Sequence, residues 1–240
     1  MSKKIGDIPM STITGFLPST SGFKFGNSFP PVPLKRMKVL GQQIPIGNAS
    51  YGLCGGMIYA VMDYFEAQMP IPSNPTAPSS GALFEYIVKR QIESFDLPLG
   101  IMKYVILMNP FLPDYEKKAS HMGAAPHGRA GRMIKEEWPR IKNDLDNGKL
   151  SPLGLVRVKS LKPFEIRRNH QVLSYGYDLN ENDLSIHIYD PNFPNDDFVS
   201  LSLNIGKPDS TTSVFHSKSS DLIYSFFRAE YKFKRPVVLN

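Results

Sequence analysis

The stretch Asn48-Ala-Ser-Tyr-Gly-Leu-Cys-Gly-Gly-Met57 holds the only cysteine of the 240-residue chain, Cys54. The Asn, Ser and Gly residues before the cysteine favour a loop, whereas the residues after it have the period of an amphipathic helix. The apolar face of that helix consists of Met57, Ala60, Val61, Tyr64 and Phe65. Cys54 is therefore predicted at the N-terminus of a helix, where free backbone N–H groups and the helix dipole favour thiolate over thiol. We interpret Cys54 as a nucleophile.

The composition limits the possible classes of site. A single cysteine excludes an internal disulfide and any zinc site built on cysteine pairs. His121 and His127 have no carboxylate cluster beside them, so we interpret them as loop histidines and expect no metal and no cofactor. No apolar run is long enough to span a membrane, and the N-terminus has no secretory signal pattern. We expect a soluble protein without membrane contact, either cytoplasmic or exported without a cleavable signal peptide.

Most of the positive charge lies in the first 47 residues. They hold six Lys and Arg residues against Asp7 alone, within a chain whose formal net charge is +6. Basic residues interleaved with aromatics would be needed for nucleic-acid binding, and this segment has no such pattern, so no nucleic-acid partner is expected. The segment is also rich in Pro and Phe. We predict a basic arm that lies over the core, is anchored by Phe16, Phe23, Phe25 and Phe29, and adds an edge strand.

The remaining residues, 48–240, are predicted to form one domain with two unlike halves. Residues 48–150 have mainly helical periodicity, whereas residues 151–240 consist of short alternating apolar segments separated by Asn, Asp, Gly and Pro. Helices followed by strands indicate an α+β fold with an antiparallel sheet rather than alternating parallel units. In the first helix, Asp63 is either a solvated residue or a polar contact to the arm.

Two strands of the second half carry a candidate base and its orienting residue. Residues 169–178 and 184–192 resemble a hairpin with a loop of about five or six residues, which would place His170 opposite Asp190. Side chains directly opposed on a hairpin have Cβ atoms about 4.5–5.5 Å apart, so the carboxylate can orient the imidazole. A register error of one or two positions would bring Pro191 or Asn192 there instead, and Asn192 is the alternative orienting residue. His187 falls on the opposite face of its strand.

Cysteine at a helix N-terminus, then His on a strand, then Asp on the next strand, resembles the papain-like cysteine peptidase superfamily. The strand residues His170-Gln-Val172, Gly176-Tyr177 and Tyr189-Asp-Pro-Asn192 are similar to those of peptidases related to bacteriocin-processing enzymes, the C39-like group. The resemblance covers residues 48–65 and 169–192. It implies a papain-like fold with a helical N-terminal half that carries the nucleophile helix, and a C-terminal antiparallel sheet.

The same resemblance implies a catalytic unit of Cys54, His170 and Asp190. The Cys54 thiolate would attack a carbonyl and form a thioester acyl-enzyme, His170 would protonate the leaving amine, and Asp190 would orient His170. Members of the superfamily place a Gln about six residues before the cysteine as an oxyanion donor. In this chain that position holds Asn48, a shorter amide, with Gln42 and Gln43 as more distant alternatives.

We therefore expect a cysteine-dependent hydrolase that cleaves a peptide or isopeptide bond in a peptide or protein substrate. Two alternatives remain from the sequence. The same three residues serve acyl transfer or deamidation, as in transglutaminase-like and arylamine-acetyltransferase-like proteins. A papain-like fold without activity would instead be a binding module, with the basic arm as its docking segment. The sequence gives no indication of the oligomeric state.

Overall fold

The computed structural model describes residues 10–12, 15–32, 36–39, 42–45, 48–115, 127–208 and 213–236. The prediction for His121, and those for the side chains of Gln42 and Gln43, lie outside what it describes.

The described helices precede most of the sheet in the chain. They are α1 (Pro18–Ser21), α2 (Cys54–Glu66), α3 (Gly81–Glu93), α4 (Leu99–Met108), α5 (Arg129–Gly131) and α6 (Trp138–Asp146). A π-helical segment, Arg132–Glu137, joins α5 to α6, and two 3-10 turns span Ala49–Tyr51 and Pro163–Arg168. Pro139 is the second residue of α6 and directly follows the π-helical segment, so the helix departs from α-geometry just before the proline, which has no N–H to donate.

The strands are β1 (Met10–Thr12), β2 (Arg36–Val39), β3 (Gln42–Pro45), β4 (Ser151–Val156), β5 (His170–Asn180), β6 (Asp183–Tyr189), β7 (Ser200–Asn204), β8 (Val214–His216), β9 (Ser219–Ile223) and β10 (Ser225–Arg228). The main sheet is antiparallel, in the order β10-β4-β5-β6-β7-β8-β9, and β1 pairs with β5 beyond the end of β4. Strands β2 and β3 form a separate hairpin. The α+β class with an antiparallel sheet is confirmed.

Helix α2 lies at the centre of the fold and is buried from Gly55 to Tyr64. It packs against α3 on one side and against β5 on the other. A Cβ atom at Gly56 would lie 2.1 Å from the carbonyl oxygen of Ile87 on α3, so only glycine permits this approach of the two helices. This packing fixes the position of the N-terminus of α2 relative to the first residue of β5.

The prediction that four phenylalanines anchor the N-terminal arm in the core is confirmed. Phe16, Phe23, Phe25 and Phe29 are at most 4% exposed and belong to the same hydrophobic core as α2 and the sheet. Burial of side chains of this size stabilises a fold by about 1.5–3 kcal/mol each. Beyond the aromatics, the backbone N–H of Asn27 donates to the carbonyl oxygen of Pro191 at 2.8 Å, which ties the arm to the loop after β6.

The predicted loop between β5 and β6 was wrong. The strands continue to the Asn180–Asp183 pair, so the turn has only two residues, and Glu181 adopts the positive φ of 54° that such turns require. A bulge between Ser174 and Gly176 also shifts the register of the hairpin. Because of the turn and the bulge together, the residue opposite His170 differs from the predicted one by more than one position.

Within the described ranges, no helix is both long enough and apolar enough to cross a membrane.

Candidate active site

Cys54 is the first residue of α2, is partly exposed as a residue, and lines a cleft of about 260 Å³. The chain reaches it through Gly52, whose φ of +91° is a conformation that favours glycine. A Cβ atom at Gly55, the next residue of the helix, would lie 2.1 Å from the hydroxyl oxygen of Ser94. Glycine at this position therefore lets the start of α2 lie close to the end of α3.

His170 and Asp190 lie together beside the cysteine. Nε2 of His170, the first residue of β5, is 2.7 Å from Oδ1 of Asp190, directly after β6, and both side chains are buried. The imidazole is also close enough to the Cys54 thiol for each group to shift the pKa of the other. Because Asp190 uses Nε2, Nδ1 is the ring nitrogen left for the sulfur. The three side chains are thus arranged in space as a nucleophile, a base next to it, and an acid that orients the base.

Asn192, the alternative orienting residue, also reaches the site. Its amide nitrogen is 3.3 Å from Nε2 of His170, and its backbone N–H donates to Oδ1 of Asp190 at 2.8 Å. Since the carboxylate is both closer and charged, Asp190 is the main partner of the imidazole. Asn192 holds Asp190 in place through its backbone.

The ionisable groups favour a thiolate–imidazolium pair. Burial raises the pKa of the Cys54 thiol, but the charge and hydrogen bond of His170 and the backbone N–H groups of Gln171 and Gly55 bring that pKa below its ordinary value. Burial lowers the pKa of His170, yet Asp190 and Cys54 raise it to about 10. Burial also opposes ionisation of Asp190, but His170, with further hydrogen bonds, holds the pKa of that carboxyl well below its usual range.

A second histidine, which the sequence did not single out, holds the other oxygen of Asp190. Nε2 of His216, in β8, lies 3.0 Å from Oδ2 of Asp190, and the imidazole is almost fully buried. Nδ1 of His216 accepts a hydrogen bond from the backbone N–H of Lys218 at 3.1 Å. Nδ1 therefore carries no proton, and Nε2–H donates to Asp190. The carboxylate lies between two imidazoles, only one of which contacts the cysteine.

The structure places Asn48 away from the sulfur. Its Oδ1 accepts the backbone N–H of Ser50 at 3.1 Å and caps the 3-10 turn before the cysteine, and Asn48 is not among the described residues that line the cleft. The shorter side chain thus satisfies its own backbone, as Asn commonly does at such positions.

Asn27 of the arm occupies the cleft wall beside the nucleophile instead. Its Oδ1 accepts the backbone N–H of Leu53 at 2.6 Å, which fixes the other terminal atom as the NH₂ group. One N–H of that group donates to Oδ1 of Asn192 at 3.3 Å, and the second has no acceptor among the described residues. A Cβ atom at Gly52 would lie 2.5 Å from this nitrogen, so glycine makes room for the amide.

Asn27 and His216 carry no local signal that identifies them. Asn27 stands in a Gly/Phe-rich loop and His216 in a three-residue strand, and each meets the site only through long-range packing. His187, which the sequence placed on the opposite strand face, lies outside the cleft and contacts Asp178 at 2.8 Å. Among the described residues, no cluster of His, Cys, Asp and Glu suits a metal ion.

Comparisons of the chain with models of protein families, with curated proteins and with solved structures found no match.

Proposed function

We propose that this protein is a cysteine hydrolase that cleaves a peptide or isopeptide bond through a thioester intermediate. The observation that carries the proposal is the contact series from the partly exposed Cys54 to His170 and from His170 to Asp190. A buried cysteine with a purely structural role has no need of a charged imidazole or of a cleft in front of its sulfur.

In the proposed first step, the Cys54 thiolate attacks the substrate carbonyl carbon and the π electrons move to the oxygen. His170, protonated at Nδ1, then gives that proton to the leaving amine as the C–N bond breaks, which leaves a thioester on Cys54. In the second step, neutral His170 removes a proton from water, the hydroxide adds to the thioester, and the carboxylic acid departs as the thiolate re-forms. Asp190 stabilises the imidazolium in both steps.

Two N–H donors are available for the oxyanion of each step. One is the backbone N–H of Cys54, which at the first position of α2 has no intrahelical acceptor. The other is the second N–H of Asn27, which we propose in place of Asn48. Donors fixed in this way contribute most where negative charge develops on the carbonyl oxygen.

We propose further that the arrangement is papain-like. Its support is the chain order of the reactive residues: cysteine at the start of a buried helix, histidine at the start of a strand, and aspartate at the end of the neighbouring strand. The arm adds one feature to that chain order. Asn27, which precedes the nucleophile in the chain, also lines the cleft.

The first test is the rate of Cys54 alkylation by iodoacetamide between pH 4 and pH 10. We expect labelling of the folded protein to begin well below the free-cysteine pKa of about 8.5, since the thiolate is stabilised. The His170→Ala variant is the control, and its labelling should begin at higher pH. Labelling of the unaltered protein that begins only near the free-cysteine value would disprove the activated nucleophile.

The second test is turnover of a fluorogenic peptide panel, with product analysis in the presence and absence of a primary amine. Hydrolysis gives the free acid even when the amine is present, whereas a transferase gives mainly the amide. Absence of turnover, together with normal low-pH alkylation, would limit the proposal to a reactive thiol without peptidase activity.

A further inference from the structure

Arg167 stands at the edge of the cleft between two aromatic rings. Its guanidinium carbon lies 5.0 Å from the centre of the Tyr51 ring and 5.2 Å from that of Phe164. Tyr51 belongs to the turn that precedes Cys54, and Phe164 to the 3-10 turn that precedes His170. The arginine is thus held between the two segments that deliver the nucleophile and the base.

Arg167 is exposed, and its cation–π contacts with the two rings leave its hydrogen-bonding edge available. Aromatic faces contact the plane of the group, whereas its five N–H donors lie in that plane and point outward. Among the described residues, no carboxylate lies within ion-pairing distance of Arg167, and none accepts a hydrogen bond from it. An arginine without an anion beside a cleft is suited to an anion carried by the ligand.

The two other arginines that line the cleft differ from Arg167 in this respect. Arg157 forms an ion pair with Asp221, and Arg168 forms one with Glu165 at 2.8 Å. None of the described residues that line the cleft is acidic. The cleft is therefore positive, and Arg167 is the arginine in it whose charge has no acidic partner among the described residues.

We propose that the cleft selects peptide substrates that carry a carboxylate close to the scissile bond, and that Arg167 binds this carboxylate. The proposal rests on the proposed function, since it names the substrate class of the same site. The planar fork of the guanidinium matches the two oxygens of an Asp or Glu side chain. Arg167 is in this role a specificity-determining residue, while Tyr51 and Phe164 hold its orientation.

The main test compares two irreversible peptidyl acyloxymethyl ketones that differ only by Glu against Gln, with the exchange placed in each of the four residues before the warhead in turn. In the unaltered protein, we expect Cys54 to react faster with the Glu compound for at least one position. Arg167→Gln should lower this Glu/Gln ratio by about tenfold or more, as expected for the loss of a charge-assisted contact.

Arg168→Gln is the matched control, because it removes the same charge from the next residue, whose guanidinium is already paired. Its Glu/Gln ratio should change less than about twofold, since an exposed, paired charge contributes little at a distance. Arg167→Lys should give an intermediate ratio, since it keeps the charge and loses the fork. Equal losses for Arg167→Gln and Arg168→Gln would overturn the proposal in favour of a general positive field.

A pair of smaller probes separates failure of this proposal from failure of the proposed function. Iodoacetate and iodoacetamide alkylate the same sulfur and differ by one charge. At low ionic strength, Arg167→Gln should lower the iodoacetate/iodoacetamide rate ratio by about twofold while the iodoacetamide rate stays the same. Normal low-pH iodoacetamide labelling without any Glu preference overturns the substrate class alone. A thiol that labels only near its ordinary pKa overturns both.

Discussion

Helix α2 carries two polar clusters, one at its first residue and one in its last turn, and they differ in what surrounds them. The structural cluster is centred on Asp63, which is 0% exposed. Its carboxylate accepts hydrogen bonds from Tyr86 at 2.6 Å, from Tyr231 at 2.8 Å and from the backbone of Lys234 at 2.9 Å, and pairs with Arg90 at 2.7 Å. Asp63 thus joins α2 to α3 and to the C-terminal segment rather than to the arm or to solvent.

The candidate catalytic cluster is formed by Cys54, His170, Asp190 and His216, and it is closed at one end and open at the other. The two oxygens of Asp190 are held by imidazoles, whereas Cys54 is partly exposed and lines the cleft. Burial and ion pairing alone therefore do not identify a reactive site. A cluster whose donors and acceptors all face protein stabilises the fold, whereas a cluster with one reactive atom facing a cleft can act on a ligand.

The largest expected effect is a loss of activity, and it should follow only from changes in the cluster around Cys54. Cys54→Ala and His170→Ala should each lower kcat/KM by about 10⁴-fold or more, because the nucleophile and the base act as a unit. His187→Ala is the matched control, since that histidine also contacts an aspartate but lies outside the cleft, and it should retain activity. Turnover that survives in Cys54→Ala would rule out cysteine chemistry.

Removal of the Asp63 carboxylate should act on stability instead. Asp63→Ala removes the buried carboxylate that pairs with Arg90 and accepts from Tyr86, Tyr231 and Lys234, so the free energy of unfolding should fall by about 3–5 kcal/mol even though Arg90 keeps Glu93. Chemical denaturation measures this loss, and the folded fraction should alkylate at Cys54 at the normal rate. Asp196→Ala, which breaks the surface pair with Lys218, should cost about 1 kcal/mol or less. Equal costs for the two variants would mean that the buried carboxylate of Asp63 stabilises the fold no more than a surface ion pair does.

The oxyanion donor can be assigned by comparing two asparagines. Asn27→Ala should lower kcat by about 10²–10³-fold, as loss of one such donor does elsewhere. Its rate of alkylation by iodoacetamide should stay within about threefold, because that displacement forms no oxyanion. Asn48→Ala should leave kcat within about threefold and lose only the cap of the 3-10 turn, roughly 1 kcal/mol. The reverse result would return the role to Asn48.

The pH dependence of turnover should respond to Asp190. The thiolate–imidazolium pair exists above the pKa of Cys54, which is lowered, and below that of His170, which is raised to about 10. In Asp190→Asn the charge that raises the pKa of His170 is lost, so the alkaline limb of kcat/KM should move to lower pH, by about 1–3 units. An unchanged alkaline limb would show that Asp190 does not support the imidazolium.

The smallest expected effect concerns His216, a positioning residue that acts through Asp190. His216→Phe removes one hydrogen bond to the carboxylate, which should lower kcat by about tenfold and move the alkaline limb slightly in the same direction as Asp190→Asn. His187→Phe is the control for ring replacement and should change neither quantity. A loss of kcat without any movement of the limb would indicate a packing role only.

Local patterns in the sequence predicted the elements that carry the main site residues. The period of three and four residues after Cys54 predicted α2 and the place of the cysteine at its start, because a helix buries one face. Alternation in residues 170–190 predicted a hairpin that brings His170 near Asp190. That inference survived the errors in the turn and in the bulge because they partly offset each other. The net shift of two positions keeps the same side chains on the same face of the strand.

Tertiary structure alone decided the rest of the site. Asn27 reaches the cleft because four buried phenylalanines hold the arm in the core, and His216 reaches Asp190 because β8 joins the sheet beyond β7. Asn48 had the expected position in the chain, but a backbone N–H two residues away binds its short side chain. The sequence thus determined which groups could react, through periodicities that act over a few residues. Their final partners depended on packing between segments far apart in the chain, which no local period encodes.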